Sequence, residues 1–242
     1  MIVLYYDLKY IYFDISVQGI YQNKMNIISI DIGEKNFAYS FIKVDVFGGI
    51  IEDGGTEGVT GPRGPIKEAI GCIFEVEEVH LYNVIEKPKQ TIVESCCKIS
   101  KLLCAHDSKI STCMYILIEQ QMRPNIRAQR IAQHVWSYLH TKYILREDSK
   151  VQRKIVSVSS SLKTKTFTDE TLDKNHRKKW VTNTVLTKNI VSLAKMHNIL
   201  VDIPDDILET IRKMIKQDDV CDTIVQSLVF LIKNPKLIKK LR

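Results

Sequence analysis

The chain has 242 residues, of which 45% are apolar and 26% charged, with a net charge of +7. That length and balance fit one large folded domain and exclude low-complexity and collagen-like chains. No apolar run approaches the length of a membrane span. The six cysteines include no C-x-x-C pair and no histidine at ligand spacing, so they read as reduced intracellular thiols rather than a zinc site.

The charge is unevenly spread. Asp45 to Ser95 holds ten acidic and four basic residues, a balance of −6. Gln120 to Ile199 holds sixteen basic and five acidic residues, a balance of +11. A basic surplus over that span points to a polyanionic partner, nucleic acid being the common one.

In chain order, residues 1–24 are apolar and aromatic but interrupted by Asp7, Lys9 and Asp14. They lack the basic start and small-residue cleavage site of a signal peptide. Two readings stand: an extension outside the core, or an added edge strand over Ile11 to Val17. Asn26 to Asp31 reads as a strand, and Phe37 to Val44 as its hairpin partner. Residues 48–65 hold seven of the ten glycines and read as a surface insertion without the Lys-Ser/Thr ending of a phosphate-binding loop. Val76 to Val84 is a third strand, and Thr91 to Ala105 a helix by its apolar spacing. Met114 to Glu119 is continuously apolar up to its last residue, the pattern of a strand buried on both faces.

Pro124 opens a helix running to about Tyr143, with Ile126, Ile131, Val135 and Leu139 as its apolar side. Lys154 to Ser159 is a fifth strand. Ser160 to Lys179 is polar and basic, a helix follows from Trp180 to His197, and further helices span Asp205 to Lys216 and Asp219 to Lys233. Residues 235–242 form a basic tail. Three strands followed by alternation predict an α/β fold with a mixed five-stranded sheet flanked by helices.

Four carboxylates stand out. Asp31 and Glu119 each end an apolar strand, where an acid is costly without a cation, a donor or a proton. Asp219 and Asp222 share a helix face at i and i+3. Taken singly, the pair could cap a helix N-terminus and Asp31 could form a turn before Gly33. Taken together, the four fit a site for divalent ions with oxygen ligands, Mg2+ or Mn2+, of the kind that hydrolyses phosphodiesters with two metals. Arg123, Arg127 and Arg130 form a basic stripe suited to phosphate, and five of the six residues from Lys174 to Lys179 are basic, among them Lys174, Arg177 and Lys178.

Three segments carry a family resemblance. Ser29-Ile30-Asp31-Ile32-Gly33-Glu34-Lys35-Asn36, Ile116-Leu117-Ile118-Glu119-Gln120-Gln121 and Lys216-Gln217-Asp218-Asp219-Val220-Cys221-Asp222 resemble the acidic motifs of RuvC-like Holliday junction resolvases, in the RNase H-like superfamily. Ile118-Glu119-Gln120-Gln121-Met122-Arg123 and its basic helix look like the poxvirus branch. The resemblance covers residues 25–234. It implies an RNase H-like fold and a homodimer that cuts four-way DNA junctions by paired nicks with Mg2+ or Mn2+, acting on branched or concatemeric viral DNA in the host cytoplasm. It also implies metal ligation by Asp31, Glu119, Asp219 and Asp222, with Asp218 a one-position alternative to Asp219. An assisting lysine is implied too: Lys179 or Lys178 by position, with Lys188 a third choice. The apolar face of the 126–143 helix is a candidate dimer surface. Competing readings are an RNase H-like nuclease for linear duplex or RNA–DNA hybrid, an inactive DNA-binding module, and an actin-like ATPase, for which the chain is short.

Overall fold

The computed structural model describes residues 23–50, 68–87, 89–121, 124–145 and 152–241. Most of the 1–24 extension, most of the 48–65 insertion and Arg123 lie outside the described residues.

The sheet has six strands in the order β5-β4-β1-β2-β3-β6. β1 (Asn23–Ile32), β2 (Asn36–Ile50) and β3 (Glu68–Asn83) form an antiparallel meander. β4 (Cys113–Gln120) lies parallel to β1, and β5 (Lys154–Ser159) parallel to β4. The sixth strand, β6 (Ile199–Asp202), runs parallel to β3 and corrects the five-strand expectation. Four residues between a helix and Pro204 carry too short an alternation to announce a strand.

Helices cover both faces, and the pleat decides which residues meet them. Met25, Ile27, Tyr115 and Leu117 point into a core shared with α8 (Gln217–Lys233). Ile28, Ile30, Ile116 and Ile118 point into a second core under α1 (Ile92–Ala105) and α3 (Ile126–Leu139). The continuous apolar run of β4 therefore serves two cores at once. α1 starts at a capping box in which Thr91 accepts from the Glu94 amide and the Glu94 carboxylate accepts from the Thr91 amide. A short α2 (Asp107–Ile110) follows it.

Several boundaries differ from the sequence reading. The 124–143 helix becomes α3 plus a π-turn at His140–Ile144. Ile131, Val135 and Leu139 are buried in the second core, so they cannot supply a dimer face, and Ile126 is 62% exposed rather than buried. The polar 160–179 stretch holds α4 (Leu162–Lys165) and the start of α5 (Lys174–Leu186). The helix expected through His197 breaks at Lys188, whose φ of 59° ends one helical path before α6 (Asn189–Lys195) begins. α7 spans Asp205–Lys213, and the basic tail forms α9 (Pro235–Lys240), anchored by buried Ile238. No described helix is long and apolar enough to cross a membrane.

Candidate active site

The site lies at the carboxyl ends of the parallel strands, where open α/β sheets place their ligands. Ile30 pairs with Ile118 across β1 and β4, so Asp31 and Glu119 leave adjacent strands at the same level. Both continue the alternation that faces α8. Glu119 in turn pairs with Val158 of β5, and the chain leaving β5 forms α4 directly beside it. α8 brings its N-terminal turn to the same point, with Asp218, Asp219 and Asp222. Gln226, one turn beyond Asp222, is buried and donates to the Ser29 hydroxyl at 3.0 Å, fixing α8 against β1.

One cleft is lined by Asp31, Glu119, Asp219 and Asp222 together with Lys163, Lys174, Arg177 and Lys178. Its centre is Lys163 of α4, which is 4% exposed. Its Nζ lies 2.9 Å from Glu119 Oε1 and 2.9 Å from Asp222 Oδ1. Burial opposes its charge, but the carboxylates of Asp222, Glu119 and Asp31 outweigh burial and hold its pKa above the ordinary lysine value. Its surroundings thus favour the ammonium form of Lys163.

The acids are electrostatically unequal. Burial, then the neighbouring charge of Glu119, pushes Asp31 well above the usual carboxylate range. Burial also works against the Glu119 carboxylate, but a hydrogen bond with Asp31 and the Lys163 ammonium hold it below its ordinary value. Burial and the mutual repulsion of the two groups thus favour the neutral form of Asp31 and the ionised form of Glu119. Burial raises Asp222 despite Lys163, and burial raises Asp219 despite the amide of Asn36, which donates to Asp219 Oδ2 at 2.9 Å. Asn36 reaches there because the β1–β2 turn is tight: the Gly33 amide donates to the Asn36 carbonyl at 2.9 Å, and a Cβ on Gly33 would sit 3.1 Å from that oxygen. Asp219 lines the cleft, whereas Asp218 is paired with Lys178 and does not line it.

Among the described residues, no three of these carboxylates bring ligand atoms within 4.8 Å of one another. The Lys163 ammonium bridges Glu119 and Asp222 and occupies the space between them. The donor set is nonetheless suited to hard divalent ions. It is all oxygen, and it already holds one cation, the Lys163 ammonium, between two of its acids.

The remaining expectations divide. Lys174, Arg177 and Lys178 line the cleft. They and Val181 fall at i, i+3, i+4 and i+7, one face of α5 rather than a loop. Arg177 Nε is buried with no hydrogen-bond partner among the described residues. Lys179 is exposed and does not line the cleft. Lys188 is remote from it, paired with Asp205 at 2.9 Å. Arg127 turns away to the Gln90 carbonyl at 2.9 Å, and Arg130 is exposed and also absent from the cleft wall. Sequence reasoning missed Lys163. Its signal was position: it lies four residues past β5, and a strand parallel to β4 delivers that turn to Glu119.

The sequence matches no family model and no curated protein. The yeast mitochondrial Holliday junction resolvase is similar in structure, with a TM-score of 0.51 at 16% identity, covering 93% of this chain and 89% of that one. The two chains share a fold. RuvC of Thermus thermophilus also aligns, with a TM-score of 0.46 at 10% identity over 88% of this chain and 96% of that one. The agreement with the yeast structure covers most of both chains and bears out the expected fold class, a mixed sheet flanked by helices.

The raised pKa of Asp31 sets a pH dependence. A folded-state pKa above the unfolded value gives stability that is full below the ordinary carboxylate pKa and lost as pH rises through the raised value. A divalent ion bound at Asp31 would compete with protonation, so its affinity would rise with pH through the same window. Calorimetric titration with Mg2+ in buffers of different ionisation enthalpy is expected to show proton release that grows as pH falls toward the ordinary carboxylate range. Release unchanged with pH would refute the upward shift of Asp31.

Proposed function

We propose that this protein is a metal-dependent endonuclease that resolves four-way DNA junctions by paired symmetric nicks. The observation that supports this best is the set of four carboxylates gathered around buried Lys163 at the strand ends of a RuvC-like sheet. Asp31, Glu119, Asp219 and Asp222 would hold Mg2+ or Mn2+. When bound, the ions supply an activated water and charge neutralisation at the leaving oxygen.

The chain's own residues supply the rest. Lys163 is a buried cation and would add a donor where a phosphoryl group gathers negative charge. Lys174, Arg177 and Lys178 crowd the first two turns of α5, against the helix dipole. A DNA phosphate at that helix end would offset the repulsion and give the unpartnered Arg177 Nε an acceptor. These contacts fix the DNA backbone without reading bases, which suits recognition of branch shape rather than sequence. Two symmetric cuts need two sites, so the working form in this reading is a homodimer. From the motif resemblance, its substrate is branched or concatemeric viral DNA in the host cytoplasm.

The test is purified protein with synthetic four-way junctions, linear duplex and RNA–DNA hybrid, each with Mg2+. Paired nicks across the junction, with linear duplex and hybrid cut far more slowly, support the reading. Equal cutting of linear duplex or hybrid, or no Mg2+-dependent cutting at all, overturns it.

A further inference from the structure

On the sheet face opposite the acidic cleft, a different group of side chains converges. β3 is not regular. Phe41 pairs with Glu78 while Ile42 pairs with Val76, leaving Glu77 as an extra residue, a β-bulge. Before the bulge, Cys72, Phe74 and Val76 face the α8 core. After it, Val79 takes that face. Glu78 and His80 are thereby turned to the other face, where His106 enters from the corner between α1 and α2. One ligand atom each from Glu78, His80 and His106 lie within 4.8 Å of one another, and all three residues are half-buried.

We propose that Glu78, His80 and His106 form a second metal site, for a borderline transition ion of the Zn2+ class. Two imidazoles and one carboxylate suit that ion and are poor ligands for Mg2+. The surroundings prepare each ligand. His80 Nε2 lies 3.1 Å from Glu78 Oε2, and Nδ1 lies 3.4 Å from the Tyr82 hydroxyl. In the tautomer with the proton on Nδ1, that N–H donates to Tyr82 and leaves Nε2 free for the ion. Tyr39 stacks on the ring at 4.8 Å between centroids and fixes its plane. Lys109 Nζ holds the other oxygen of Glu78 at 2.7 Å and is itself balanced by Glu77 at 3.0 Å. An ion here ties the middle of the sheet to the α1–α2 corner. The four remaining histidines and all six cysteines take no part.

The site stands whether or not the protein is a nuclease, and the experiment keeps the two apart. Metal-free full-length protein in excess Mg2+ is titrated with Co2+, read by its visible absorption, and then with Zn2+. One equivalent of four-coordinate cobalt is expected, displaced by Zn2+, retained in Asp31→Asn and lost in His106→Ala and His80→Gln. Zn2+ at a hundredfold excess over its dissociation constant is expected to raise the thermal midpoint of the unmodified protein by about 5–10 °C. X-ray absorption of the cobalt-loaded unmodified chain reads two imidazole ligands without depending on a variant that folds. Cobalt bound with no imidazole, or binding unchanged in both histidine variants, overturns the site.

Discussion

Lys163→Met is expected to cost the metal-free protein about 3–5 kcal/mol, because Glu119 and Asp222 are then left charged and buried without a cation. Thermal unfolding in a chelator reads this as a fall of about 10 °C in the midpoint. Mg2+ restores much of the loss, since it supplies the missing positive charge. Junction nicking at saturating Mg2+ is expected to fall by about 10²–10³-fold, the size seen when one fixed donor to a developing negative charge is removed. Lys179→Met, on the exposed side of α5, should stay within about twofold on both measures. The opposite ranking of the two lysines would return the assisting role to Lys179.

Asp31→Asn separates stability from activity. Nicking is expected to drop on the order of 10⁴-fold, as when one member of a catalytic constellation is neutralised. Stability without metal should hold or rise by up to about 1–2 kcal/mol. The reason is that burial and the neighbouring Glu119 both disfavour a charged Asp31, and an asparagine amide takes its place without ionising. Glu119→Gln should lose activity comparably but destabilise the chain, because it removes a partner of Lys163. Single-turnover nicking and chelator-treated unfolding curves measure both. Equal stability losses in Asp31→Asn and Glu119→Gln would refute the unequal electrostatics of the pair.

The acids were legible from sequence because of where they break a pattern. A carboxylate at the end of an all-apolar strand needs a partner, and Asp31 and Glu119 show that from four or five preceding residues each. The choice of Asp219 over Asp218 rested on i,i+3 spacing with Asp222, and the cleft wall includes the same two residues. Lys163 was hidden because its role follows from the β4–β5 register, a contact between residues 44 apart. The basic stripe on α3 does not reach the cleft wall for a related reason. Periodicity places Arg127 and Arg130 on a shared side but does not say that the turn before α1 lies there, where the Gln90 carbonyl receives Arg127. The sixth strand and the turned-over half of β3 were beyond reach as well. A four-residue strand and a one-residue bulge leave no trace in hydrophobic spacing.

The anchoring of α8 has a consequence for how the molecule reaches its active state. The hydrogen bonds from Asn36 to Asp219 and from Gln226 to Ser29 join residues 183 and 197 positions apart. Such contacts close long loops, so the docking of α8 is expected to follow the local helices and the β1–β3 meander. Asp219 and Asp222 would then join the site in that docking step. During refolding, regain of helical signal should therefore run ahead of DNA cutting, and a half-folded chain with an assembled meander would be harmless to DNA.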